Sequence, residues 1–345
     1  MKKLISILMA AMLCLSLAAC GGEKAPAQSG GSSSGNEGGS AAAPASSDPV
    51  NLTVAYADPE DSVFGKGATA FKEKVEELSG GNITCTMYPN GTLGSIPEVA
   101  AMIQQGTCDV SPIVTSSLVD FCPELGVFDL PFLFSDYDDA RTAIQGPAGT
   151  HLAEQMAGSN MHVGSWMTMG FRETTANRPI NSVADFSGLK IRTQSNEVHM
   201  AIFNTLGANA TNISFSELYS AMELKTVDAQ ENPYVNISNN AYYEVQNYLI
   251  ETNHVFQFAA LLISDSTYGK LSDEQKSWVD QAAAYAADVE WEATKTDNEN
   301  AKQACIDAGM QFVALDHDEL LEATKDVYET YDAQYGSLLE MMGKK

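Results

Sequence analysis

The chain has 345 residues with 19 basic against 45 acidic side chains, a formal net charge of -26. A surface so acidic repels nucleic acid and anionic lipid headgroups, which sets both aside as partners of the folded part. With 44% hydrophobic residues, the composition suits a soluble α/β protein too large for one small domain.

Met1-Lys2-Lys3 is a basic leader start, Leu4 to Leu17 an apolar stretch, and Leu17-Ala18-Ala19-Cys20 a small-residue cleavage site. The stretch is short for a membrane span, and Gly21-Gly22 follows at once. A Cys directly after such a site resembles a bacterial lipobox, which implies a diacylglyceryl thioether on Cys20, cleavage before it and acylation of the new N-terminus. Residues 1–19 are thus expected to be a signal peptide. Residues 20–49 follow as the lipid-bearing Cys20 and a Gly/Ser/Ala tether that cannot bury a core. A tether of this length reaches roughly 30 Å. Residues 50–345 are the expected folded part.

Leu52, Val54 and Tyr56 alternate with Thr53 and Ala55 as a first strand, and Phe71, Val75 and Leu78 repeat at helical spacing before Gly80-Gly81. Ile83 to Tyr88 reads as the next strand. Ile96, Val99, Ala100 and Ile103 mark a helix closed by Gly106, and Val110 to Val114 is a third strand. This βαβαβ order predicts a parallel sheet with helices on its faces. Helical segments follow at Asp138 to Ile144 and Thr150 to Met156, then a strand near Val163 to Thr168. Asp136, Asp138 and Asp139 mark a solvated helix start; as a calcium loop they lack the required Gly and terminal Glu.

A second lobe repeats the logic, with a strand at Leu189 to Thr193 and a helix from Glu197 to Leu206. Ser214-Phe215-Ser216-Glu217 has the spacing of a capping box and places Phe215 in the first turn of a helix. Leu261 to Ile263 lies in an apolar strand. Ser272-Asp273-Glu274-Gln275 opens a long helix to about Ala308, with Trp278, Ala282, Tyr285 and Val289 as its expected packed stripe, and Asp318 to Met342 is again helical. Two lobes joined by crossing segments would close on a ligand by hinge motion.

The chemistry of an enzyme is hard to find. The five histidines show no metal-ligand pair, and there is neither a Gly-x-Ser-x-Gly elbow nor a phosphate-binding loop. No cofactor is expected. Cys85, Cys108, Cys122 and Cys305 allow three full pairings; a Cys85–Cys108 bridge and small buried thiols both remain open. Arg192 is the residue that stands out. It ends the run Gly188-Leu189-Lys190-Ile191-Arg192, at the carboxyl end of a strand where α/β proteins gather ligands. Its guanidinium is a rigid fork of donors matched to a carboxylate. The alternative is a surface arginine in a solvated pair.

Arg192 keeps distinctive company. Tyr88-Pro89-Asn90-Gly91 and Phe128-Asp129-Leu130-Pro131-Phe132 come upstream, then Gly170-Phe171-Arg172-Glu173-Thr174-Thr175 and Asn177-Arg178-Pro179-Ile180. Phe215-Ser216-Glu217-Leu218-Tyr219 and Gln230-Glu231-Asn232-Pro233 come downstream. In this order the motifs resemble the substrate-binding proteins of tripartite ATP-independent periplasmic (TRAP) transporters, over nearly all of the chain after about residue 50. The resemblance implies a two-lobed periplasmic-binding-protein-like α/β fold with a hinge, a ligand cleft between the lobes and long C-terminal helices. Together with the lipobox it implies an extracytoplasmic, lipid-anchored, monomeric receptor that is not an enzyme. Its implied partners are a small organic acid and the membrane-embedded permease subunits, with membrane contact through the lipid alone.

Carried over from that resemblance, Arg192 pairs bidentately with the ligand carboxylate. Arg172 matches the second arginine of the sialic-acid binders and Asn232 their ligand-contacting asparagine. Phe215 packs on the ligand, Ser195 makes a polar contact, and Tyr56 and Trp166 line the cleft; core packing is the alternative for Phe215 and Trp166. Sialic-acid binders carry Asn near the position of Tyr56 and Glu near Val114, which points away from that ligand and toward a dicarboxylate, uronate or related sugar acid. The segment Leu224 to Ala229 also departs from the family's usual motif. An ABC-type receptor or a ligand-presenting sensory component would share the two-lobed shape.

Overall fold

The alternating segments after residue 49 pair as their pattern implies. Strand β1 (Val50–Ala55) lies between β2 (Ile83–Tyr88) and β3 (Val110–Val114), all parallel. Helices Val63–Leu78 and Ile96–Gln105 make the crossovers. Ser62 caps the first through the Gly65 amide, and a Ser95–Glu98 capping box opens the second. The computed structural model describes residues 48–345. The expected signal peptide, Cys20 and nearly all of the tether lie outside the described residues.

The remaining strands are β4 (Met161–Ala176), β5 (Lys190–Thr193), β6 (Asn209–Asn212), β7 (Ala229–Pro233), β8 (Tyr248–Glu251), β9 (Phe256–Ser264) and β10 (Gln311–Ala314). They run in the order β2-β1-β3-β9-β4-β7-β5-β6, with β8 joining β4 to β10. Strand β9 is antiparallel to both β3 and β4, so the first lobe's sheet is mixed.

β4 extends beyond the expected Val163 to Thr168. Residues Met161–Phe171 pair with β9, and Arg172–Ala176 turn to β7, with β8 pairing from Thr174. One strand therefore serves both halves of the sheet, and Arg172 stands where it changes partners. Its register shifts between Thr168 and Gly170, where Gly170 adopts φ of 81°. A Cβ there would lie 2.1 Å from the Tyr137 hydroxyl, so only glycine fits.

Helix Asp273–Asp307 opens with the Ser272–Gln275 capping box and packs on β4. Its buried face differs from the expected stripe. Ala282 is buried, but Tyr285 is 46% exposed and Trp278 and Val289 only half-buried; Val279, Ala283, Ala286, Ala287 and Trp291 turn inward instead. Alanines let the helix approach closely, and a Cβ on Gly164 of β4 would lie 3.0 Å from that of Ala283. The Tyr285 ring instead covers the surface, with Lys74 Nζ 5.0 Å from its centroid. Helix His317–Met341 closes the described chain. Among the described residues no helix is long and apolar enough to cross a membrane. All four cysteines there are buried free thiols; burial pushes Cys108 up to about 11.

Glu173, next to Arg172 on β4, is wholly buried. Its Oε2 accepts from the amides of Thr252 at 2.7 Å and Asn253 at 3.0 Å, while among the described residues Oε1 has no hydrogen-bond partner. Burial pushes its pKa up to about 8 against the pull of those amides. An acid raised on folding keeps more protons native than unfolded, so its stabilisation is full below about 4.5 and is lost as pH rises toward 8. Glu173→Gln should match the parent near the lower value and exceed it by about 4 kcal/mol at the upper one. Urea unfolding at both pH values measures the difference.

Candidate functional site

A cavity of about 1070 Å³ opens where the carboxyl ends of β1 and β3 face those of β5 and β7. The size suits a small molecule. Among the described residues Arg172 and Arg192 are the only basic ones in its lining, and Tyr56, Ser195, Phe215 and Asn232 also line it. Six of the seven expected contact residues are thereby brought together.

Trp166 is not among them. It is half-buried on the first part of β4, its ring edge-on to Phe128 at 6.4 Å, and its carbonyl accepts from the Trp291 indole at 3.0 Å. The strand's alternation and the register shift after Thr168 send Met169, not Trp166, into the cavity. The Ser214 capping box also fails to form. Phe215–Glu217 is a 3-10 turn leading into helix Leu218–Glu223, and the Ser214 hydroxyl meets that of Ser216 at 3.0 Å. Phe215 still reaches the cavity wall.

The two arginines differ in employment. Arg172, 2% exposed, is bound on nearly every side. Its Nε donates to Glu231 Oε2, and one terminal nitrogen reaches Glu231 Oε1 at 3.0 Å, the Glu231 carbonyl at 2.7 Å and Asn232 Oδ1 at 3.2 Å. The other donates to Gln257 Oε1 at 2.8 Å. Arg192 is 3% exposed, and its Nε donates to the Ile213 carbonyl at 2.9 Å. Among the described residues no acceptor meets its two terminal nitrogens. Burial lowers its pKa to about 10 against the opposing pull of Glu231 and Tyr242, so it stays a cation.

Glu231 sits at the centre of a buried polar network. His199 lies between it and Asp129, with Nε2 3.0 Å from Asp129 Oδ1 and Nδ1 3.6 Å from Glu231 Oε1. His254 Nε2 is 3.2 Å from Glu231 Oε2. Asp129 further accepts from Asn196 Nδ2 at 2.7 Å and from the Ser116 hydroxyl. Burial would raise Glu231, but Arg172 and His199 hold it well below the ordinary carboxylate value. Burial would lower His199, yet Glu231 and Asp129 hold it above the ordinary value. His254 is pushed down by burial. Among the described residues no cluster of acidic, His and Cys side chains could hold a metal ion.

Comparisons with known proteins converge. The profile of the bacterial extracellular solute-binding proteins, family 7, matches residues 54–337. The chain belongs to that family. It is 32% identical over 270 residues to the C4-dicarboxylate-binding periplasmic protein DctP of Rhodobacter capsulatus, covering 77% of this chain and 80% of the relative. A TRAP periplasmic solute-binding protein of Polaromonas sp. JS666, solved with D-erythronate, superposes with a TM-score of 0.82 at 33% identity, over 85% of this chain and 97% of that one. A sugar acid binding protein of Advenella mimigardefordensis, solved with galactonate, gives 0.83 at 31% identity, over 86% and 99%. The family consists of solute receptors that work outside the cytoplasm, and its mixed α/β fold is the one seen here.

Spacing along the chain could not reveal the Asp129–His199–Glu231 chain, whose members come from three distant segments. Asp58 was also missed, although it follows the carboxyl end of β1 as Arg192 lies next to that of β5, and the same positional rule finds both. Removing Glu231 would leave the Arg172 charge buried and unpaired. Glu231→Ala should lower stability by about 3 to 5 kcal/mol in urea unfolding.

Proposed function

We propose that this family member captures a small organic-acid anion, a dicarboxylate, uronate or related sugar acid, and delivers it to the membrane subunits of a TRAP-type secondary transporter. One observation carries the reading: Arg192 is a buried cation that lines the cavity with two terminal nitrogens unmet by protein acceptors. A desolvated guanidinium without a counter-ion is costly, and a ligand carboxylate supplies two acceptors at the spacing of its fork. Arg172 shapes the wall but has its charge answered by Glu231. Phe215, Tyr56, Ser195 and Asn232 would contact the body of the ligand.

No covalent step is assigned to the site. The receptor acts as a monomer of two interleaved lobes spanning residues 50–345, closing on the ligand. The leader of residues 1–19 and the Cys20 lipobox support export and lipid anchoring, with residues 20–49 as tether, so that membrane contact is through the lipid. An acidic chain of charge -26 needs such an anchor to stay near an anionic bilayer.

A thermal-shift screen of organic acids should identify a ligand, since one present at about 100 times its dissociation constant adds roughly 2.7 kcal/mol to stability. Arg192→Ala should then weaken binding by roughly 2 to 5 kcal/mol in titration calorimetry; undiminished affinity would refute the clamp. Cys20→Ser should move the exported protein from the membrane fraction to the soluble fraction and abolish labelling by fatty acid. Unaltered fractionation would remove the anchor from this account.

A further inference from the structure

The cavity holds a second charge, of opposite sign. Asp58 follows β1 at that strand's carboxyl end, is 6% exposed and lines the cavity. Its main-chain carbonyl accepts from the Asn90 amide at 3.0 Å, which fixes the turn. Among the described residues no other side chain pairs with its carboxylate, and the only donor acting on it is its own backbone N–H. Burial pushes its pKa up to about 6, so it is ionised at neutral pH. Nearby, Tyr56 is 1% exposed and among the described residues its hydroxyl has no hydrogen-bond partner; Asp58 is among the charges that act on it.

Asp58 and Arg192 do not answer one another. The charges acting on Arg192 come from Glu231, Tyr242 and Arg172, without Asp58. Tyr242, on the turn Tyr242–Glu244, feels Arg192, Asp58 and Arg172 together. The cavity thus carries a cation on the β5 side and an anion on the β1 side, with Tyr242 also in its lining. The other acids of the lining differ. Glu98 is held by the Ser95 amide and hydroxyl, each at 2.7 Å, and Glu217 is exposed at the rim.

An ionised carboxylate only accepts hydrogen bonds. Once a ligand displaces water from Asp58, the ligand must bring donors. Hydroxyls bring them, whereas a second carboxylate brings none and sets a like charge against a buried one.

We propose that Asp58, with the Tyr56 hydroxyl beside it, determines specificity by accepting hydrogen bonds from hydroxyls at the end of the ligand remote from its acid group. The substrate class is then hydroxylated monocarboxylates, and dicarboxylates are rejected. This rests on Arg192 anchoring the acid group.

Matched pairs test it by titration calorimetry at about pH 8, where Asp58 is ionised. Erythronate against succinate compares four-carbon acids, and galactonate against galactarate compares six-carbon ones. The parent should bind at least one of the two hydroxy monoacids, with its diacid about 100-fold weaker or more. Asp58→Asn, similar in size, should narrow that gap to within about tenfold. Equal affinity for monoacid and diacid in the parent overturns the proposal, as does failure to bind either monoacid. So does an unchanged ratio in a variant whose thermal unfolding remains cooperative. If Asp58→Asn does not fold, the parent's own preference decides. Arg192→Ala separates the two readings. Monoacid affinity retained there removes the anchor itself, whereas affinity lost there beside a diacid-tolerant parent removes only the role of Asp58.

Discussion

Glu231 is the counter-ion on which the arrangement of the site depends. It occupies Arg172 on two edges and draws His199 and His254 toward it from other elements. Asp129 closes the chain on the far side of His199, whose pKa, against burial, Glu231 and Asp129 hold above the ordinary value. Buried charges are tolerable when they are matched and hydrogen-bonded in this way. The Arg172 charge is therefore answered within the protein, whereas Arg192, equally buried at the cavity wall, has no ion pair among the described residues. Had Glu231 faced Arg192 instead, the fold would have satisfied its own ligand site.

The network also explains why β4 can cross from one half of the sheet to the other. Its second part carries Arg172, Glu173, Thr174 and Thr175, all buried. A polar run of this kind lacks the apolar alternation of a half-buried strand, so only Val163 to Thr168 is legible as strand in the sequence. What makes the extension a strand is pairing on both sides, with β7 and β8, and hydrogen-bond partners drawn from β7, β9 and the segments flanking β8. The first lobe was easier to read. In β1, β2 and the two crossover helices, local pattern and tertiary burial agree, and Ser95 with Glu98 writes its helix start into adjacent residues.

The site was legible in proportion to how locally its residues are determined. Arg192 follows from strand position alone. Arg172 and Asn232 came through family resemblance, which could not show that the Arg172 guanidinium is taken up by both the Glu231 carboxylate and the Asn232 amide oxygen. Trp166 was misplaced because β4 alternates faces and carries register shifts at Val163 to Ser165 and Thr168 to Gly170, so Met169 rather than Trp166 lines the cavity, and such shifts leave no mark in the local pattern. Likewise the long helix turned alanines inward where large side chains seemed the natural choice, since closeness to β4 counted for more than the area of any one side chain.

The four thiols of the described residues carry a consequence for how the protein reaches its working state. Each is enclosed and none is bridged, so this structure contains no cross-link that an oxidant would have to install. A receptor built this way completes its fold on export without waiting for a thiol oxidase. It also keeps that fold in sulfide-rich or anoxic surroundings, where proteins dependent on cystines are slowly reduced.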